Sequence, residues 1–250
     1  MRMDAVIFDL DRTLLHTDKT ISPYTAAVLR KCQENGIKVM AATARPLRTA
    51  EPYCGIVRFD AMAVSNGARV ICGEHRSEYG IERSSAACIL RYLTRHGLRI
   101  TAESGDCAYS NVPIDAYETV ICEDLAEIAG RETILKLLVT LEDEETLRVV
   151  QRGLTEDVYC TVSGGSLIQI MSKSAAKWNG VREMLGTAGC APENAVYFGD
   201  DYDDIEPIRM CGMGVAVANA IEEVKAAADA VAQSNDNDGP ARFLERMLNL

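Results

Sequence analysis

Three short apolar runs frame this chain. Ala-Val-Ile-Phe (5–8), Ile-Lys-Val-Met-Ala-Ala-Thr (37–43) and Ala-Val-Tyr-Phe-Gly-Asp (195–200) each read as a buried strand,. Amphipathic stretches alternate with runs of this kind. That alternation predicts an α/β fold on a mainly parallel sheet, with helices on both faces.

The intervening segments carry matching signals. Ser22-Pro23 opens a helix that stops at Gly36,. Residues 45–53 open a short helix, and 61–72 read as two strands about an Asn66-Gly67 turn,. The texture then changes to a compact α+β pattern. Helices are expected over 84–97 and 143–154, and strands over 98–104, 107–111, 132–140, 158–163 and 166–172. After Ser172 the first rhythm returns, with helices over 174–189, 203–212, 221–229 and 239–250 and a further strand over 214–219. We therefore expect a core of 1–78 and 173–250, interrupted by an inserted α+β domain of 79–172.

Composition narrows the function classes. The chain has 250 residues and a net charge of −11, so no basic surface points to nucleic acid or an anionic membrane. Nine cysteines, an odd number without any C-x-x-C, fit reduced thiols in a reducing compartment,. No signal peptide and no apolar run of membrane-spanning length is visible,. A cytoplasmic protein, monomer or homodimer, is expected.

The strand ends carry the chemistry. The first ends Asp9-Leu10-Asp11, the second Thr43-Ala44-Arg45, and a later one Gly199-Asp200-Asp201 followed by Asp203 and Asp204. Ligands of open parallel sheets bind beyond the carboxyl ends of the strands. Asp9, Asp11 and Asp200 would share one crevice, where their repulsion calls for a hard cation such as magnesium. With it, a phosphate becomes acceptable there, and Thr43 and Lys177 can bind its oxygens. In extended backbone Asp9 and Asp11 face the same way. One can serve as nucleophile and the other in proton transfer. Thr13 would add a hydroxyl on that face.

Taken singly, each motif has a duller explanation as a cap, turn or solvated side chain. Their joint order is more specific. DLDRTLL (9–15), AATAR (41–45), Lys177 in SKSAAKWNGV and GDDYDD (199–204) together resemble the four motifs of the haloacid dehalogenase superfamily, in its Cof-type phosphatases with a large inserted cap. SNGA (65–68), GVAVANA (214–220) and SNDNDG (234–239) match as well.

The resemblance implies a Rossmann-like core and a magnesium-dependent phosphatase acting on a small phosphorylated metabolite, with sugar phosphates as the family-level class. It implies that Asp9 attacks phosphorus and that Asp11 protonates the leaving oxygen and then activates water. Thr43, Ala44, Arg45 and Lys177 would bind phosphate, and Asn66, Gly67 and Asn219 would line the phosphate or substrate pocket. Asp9, the backbone carbonyl of Asp11, and Asp200 would hold the metal. Asp201, Asp203 and Asp204 would stand behind them, Asp204 supporting the metal or orienting Lys177.

Three positions depart from the pattern. Arg12 stands where relatives usually have Gly, which tolerates backbone angles that cost Arg more. Asp203 replaces an Asn. Trp178 replaces a small residue, to pack under the cap or narrow the pocket. Competing readings are a phosphohexomutase of the same superfamily and a non-catalytic phosphometabolite sensor. The complete set of Asp9, Asp11, Thr43, Lys177 and Asp200 argues against the sensor.

Overall fold

The structure, a computed structural model, describes residues 3–105, 107–114 and 118–249. The chain opens with β1 (Ala5–Phe8), α1 (Pro23–Glu34), β2 (Lys38–Ala42), α2 (Leu47–Ala50), β3 (Ala61–Val64), β4 (Arg69–Cys72) and β5 (His75–Glu78). Its middle holds α3 (Arg83–Arg95), β6 (Ile100–Ser104), β7 (Ala108–Ser110), β8 (Val120–Ile121), α4 (Leu125–Arg131), β9 (Ile134–Thr140), α5 (Glu144–Arg152), β10 (Val158–Ser163) and β11 (Leu167–Ser172). It closes with α6 (Lys177–Thr187), β12 (Ala195–Gly199), α7 (Ile205–Met210), β13 (Met213–Ala216), α8 (Glu222–Ala227), β14 (Ala230–Val231) and α9 (Gly239–Leu248).

Two compact units result. One combines the chain up to Ser77 with the chain from Ala176; the other is Glu78–Ala175. The first holds a sheet in the order β14-β13-β12-β1-β2-β3-β4-β5. From β14 to β3 every pairing is parallel, and β4 turns back antiparallel. Alternate residues of the apolar strands feed two separate layers. Val6 and Phe8 pack with Val28, Leu29 and Leu244 of α1 and α9. Ala5 and Ile7 pack with Val181, Met184 and Ile208 of α6 and α7. A strand covered on both faces has no polar side, which is why these runs are apolar throughout.

Register then places the site. Phe8 pairs with Phe198 of β12 on one side and Ala41 of β2 on the other. The carboxyl ends of β1, β2 and β12 thus lie adjacent, with Asp9, Thr43 and Asp200 just beyond them. Ser22 caps α1 by accepting from the Thr25 N–H, and Gly36 follows that helix at φ 78°,.

The second unit has a six-stranded sheet, β10-β11-β9-β6-β7-β8. Its pairings are antiparallel except β7 with β8. Leu90 and Leu93 of α3, Leu125 of α4 and Val150 of α5 close a core with Ile100, Leu137, Val139 and Ile170 of the sheet. Four elements lie outside the sequence reading: β5, β8, β14 and α4. All nine cysteines are free thiols. Among the described residues no helix is long and apolar enough to cross a membrane.

Candidate active site

Asp9 sits one residue past β1, where its N–H donates to the Phe198 carbonyl at 2.9 Å. Lys177 is the first residue of α6. Its ammonium donates to Asp9 Oδ1 at 3.0 Å and Asp204 Oδ1 at 2.7 Å, and lies 3.2 Å from Asp203 Oδ1. A cation at a helix N-terminus opposes the helix dipole, so the carboxylates are what hold it there. Burial alone would lower the Lys177 pKa; Asp203, Asp204 and Asp9 outweigh that and raise it well above the ordinary lysine value.

Asp204 organises the group. Its Oδ1 accepts from Lys177 and from the Tyr197 hydroxyl at 2.6 Å. Its Oδ2 accepts from the N–H groups of Asp200 at 2.8 Å and Asp201 at 3.1 Å. An ionised carboxylate has about four acceptor positions, and here all are used. Gly199 makes this possible, since a Cβ there would stand 2.4 Å from Asp204 Cβ. Asp203 accepts from Asn66 Nδ2 at 2.8 Å, so this departure from the family pattern carries an ion pair and a hydrogen bond. The Asp201 carboxylate accepts from the Tyr202 N–H at 2.8 Å and caps the turn that delivers Asp204.

Asp9, Asp200 and Asp204 bring carboxylate oxygens within 4.8 Å of one another. Thr13 Oγ1 donates to Asp200 Oδ1 at 3.0 Å. Among the described residues no hydrogen bond reaches Asp9 Oδ2 or Asp200 Oδ2. Burial, and then the neighbouring carboxylates against the pull of Lys177, push the Asp9 pKa well up. Burial and Asp204 push Asp200 up to about 7. Two buried carboxylates in mutual repulsion, each with an oxygen that accepts no hydrogen bond, suit a hard divalent cation.

The carboxylate of Asp11 is not in this group. The same-face expectation needed an unbroken strand from Asp9 to Asp11, but β1 ends at Phe8 and the chain turns from Leu10, between two residues that are themselves extended. Arg45 clasps Asp11 with two bonds of 2.6 and 2.7 Å, and Lys19 adds a third at 2.7 Å. Burial raises the Asp11 pKa, but these hydrogen bonds prevail and hold it below the usual carboxylate value. The third converging carboxylate is that of Asp204. The ligand expected from Asp11 was its backbone carbonyl, which is separate from this contact.

The remaining candidates occupy the surrounding turns. Thr43 is buried; its Oγ1 accepts from the Arg45 N–H at 3.2 Å, and its carbonyl accepts from the Asn66 N–H at 3.0 Å. Ala44, half-buried, lies between Thr43 and Arg45. Asn66 and Gly67 follow β3 at φ 58° and 84°. Asn219 braces the first turn: its Nδ2 donates to the Arg12 carbonyl at 2.7 Å, and its Oδ1 accepts from the Asn235 N–H at 3.0 Å. Trp178 is buried in the apolar layer between α6 and the sheet. Sequence reasoning missed Lys19 and Tyr197. A buried tyrosine hydroxyl needs a partner, and that was the available signal for Tyr197.

Comparison with known proteins identifies the family. The family profile of haloacid dehalogenase-like hydrolases matches residues 6–244. A 5-amino-6-(5-phospho-D-ribitylamino)uracil phosphatase from Bacillus subtilis is 28% identical, over 98% of this chain and 97% of its own. A pyridoxal phosphate phosphatase from Escherichia coli is 24% identical, over 98% of both chains. A Thermotoga maritima crystal structure superposes with a TM-score of 0.89 at 24% identity, covering 98% of this chain and 97% of that one. Strand-end carboxylates, the Lys177 bridge and a match across almost the whole length converge: the chain belongs to the haloacid dehalogenase-like hydrolases.

Proposed function

We propose that this protein is a phosphatase that hydrolyses a small phosphorylated metabolite, with Asp9 as nucleophile and magnesium as cofactor. The observation that carries the proposal is the buried bridge from Lys177 to Asp9 beside Asp200. It gives a nucleophilic carboxylate, a fixed cation for phosphate oxygens, and two carboxylate oxygens free of hydrogen bonds for a metal. Relatives named for a ribitylamino-uracil phosphate and for pyridoxal phosphate support the phosphate-ester class. Their organic parts differ, so the substrate here is proposed only as a phosphorylated small molecule, with sugar phosphates the first to assay.

Asp9 attacks phosphorus and the ester P–O bond breaks, leaving an aspartyl-phosphate. Asp11 gives its proton to the departing oxygen. It then takes a proton from the water that attacks phosphorus, releasing phosphate and restoring Asp9. Lys177 and Thr43 bind the transferring oxygens. Arg45 and Lys19 hold Asp11 in its ionised form, which suits the base step. The acid step requires Asp11 to take up a proton and loosen those pairs when substrate arrives. Asp9 and Asp200, with the Asp11 carbonyl, would hold magnesium, which supplies charge neutralisation at the phosphoryl group. We further propose that Glu78–Ala175 selects among substrates.

The test is phosphate release from p-nitrophenyl phosphate. Asp9→Asn should lower turnover by roughly a thousandfold or more, since an amide is a poor nucleophile. Chelator should abolish wild-type turnover and magnesium restore it. Undiminished turnover in Asp9→Asn would overturn the assignment.

A further inference from the structure

Arg12 adopts φ 60° and ψ 7°, a conformation costly for a side chain with a Cβ. Strain of this kind persists where the surroundings enforce it, and here they do. Asn219 grips Arg12 twice: its amide donates to the Arg12 carbonyl at 2.7 Å, and its own carbonyl accepts from Arg12 Nη2 at 3.2 Å. Asn235 braces both ends, donating its N–H to Asn219 Oδ1 and its Nδ2 to the Leu15 carbonyl at 3.0 Å each. The guanidinium is thereby held with Nε 3.7 Å from Asp200 Oδ2. That is the Asp200 oxygen that accepts no hydrogen bond.

We propose that Arg12 is a positioning residue that sets the cation affinity of the site, a tethered positive charge opposing the divalent ion at Asp200. The inference rests on the reading of Asp9 and Asp200 as cation ligands. Arg12 partly neutralises Asp200. When a dication binds the same oxygen, the two positive charges lie within a few ångströms and repel. The Arg12 side chain is 56% exposed, so solvent screens much of this repulsion. Loss of the charge should therefore tighten magnesium binding by a modest factor, about three- to tenfold.

Isothermal titration of magnesium into the full chain tests this, using wild type, Arg12→Lys, Arg12→Gln and Arg12→Gly. Lys and Gln keep a side chain at the strained position and differ in charge; Gly relieves the strain, so a folded neutral variant is assured. Arg12→Gln and Arg12→Gly should bind magnesium about three- to tenfold more tightly, and Arg12→Lys should stay within about twofold of wild type. The gain should shrink in high salt. Equal or weaker affinity in both neutral variants would overturn the inference. So would unchanged magnesium affinity with weaker inhibition by inorganic phosphate, which would assign Arg12 to the substrate. Absence of magnesium binding in wild type would overturn the cation reading itself, and this inference with it.

Discussion

Asp200 meets two opposed demands. It must be ionised to hold a cation, yet burial and Asp204 lift its pKa to about 7. An unfolded Asp titrates near 3.9. The folded state thus binds this proton more tightly than the unfolded state, and ionisation costs stability. The penalty is absent below about pH 4 and complete above about pH 7. Asp9 is shifted in the same direction. With chelator present, stability should fall as pH rises through this window, and Asp200 accounts for roughly 2–4 kcal/mol of that fall. Asp200→Asn should raise the melting temperature in chelator at about pH 8 and flatten the pH profile. A melting temperature at or below wild type would assign the penalty elsewhere. Legibility at this scale follows position. Asp9, Lys177 and Asp200 stand at a strand end or helix start, so pattern alone reaches them. The Lys19–Asp11 contact depends on a loop secured by Asp236, whose carboxylate accepts from the Thr17 N–H and hydroxyl at 2.7 Å. Nothing local in the chain announces that pairing.

At the scale of elements, α6 sets the reach of Lys177. A Cβ on Gly180 would stand 2.8 Å from Ala63 Cβ and 2.9 Å from Gly67 Cα, so the helix rests directly on β3 and the turn after it. Gly180→Ala should force the helix outward, cost about 1–3 kcal/mol, and withdraw Lys177 from Asp9, lowering turnover as well as stability. Gly186 on the same helix is exposed with open space around it. Gly186→Ala should leave turnover unchanged and raise stability by about 0.5–1 kcal/mol. Equal effects of the two substitutions would remove the packing argument. The buried strands and longer helices were legible because burial on both faces writes continuous apolar runs, and burial on one face writes a helical period. The rest had no such signature. β8 and β14 are two residues each, β5 is the polar run His75–Glu78, and α4 spans only seven residues.

The whole molecule contains separate apolar cores. Two layers flank the parallel sheet of one unit, while Glu78–Ala175 closes its own core around Leu137 and Ile170. Every side chain proposed here to bind cation or phosphate belongs to the first unit. A ligand stabilises only the folded form that binds it, so magnesium should act on one core and not the other. Scanning calorimetry should therefore resolve two transitions. Magnesium at a hundred times its Kd should stabilise one of them by about 2.7 kcal/mol and leave the other in place. Leu137 is fully buried, and Leu137→Ala should lower the other transition by about 2–5 kcal/mol. The two effects should appear on different peaks and remain independent when combined. A single transition that both perturbations move would mean that the units unfold as one cooperative structure.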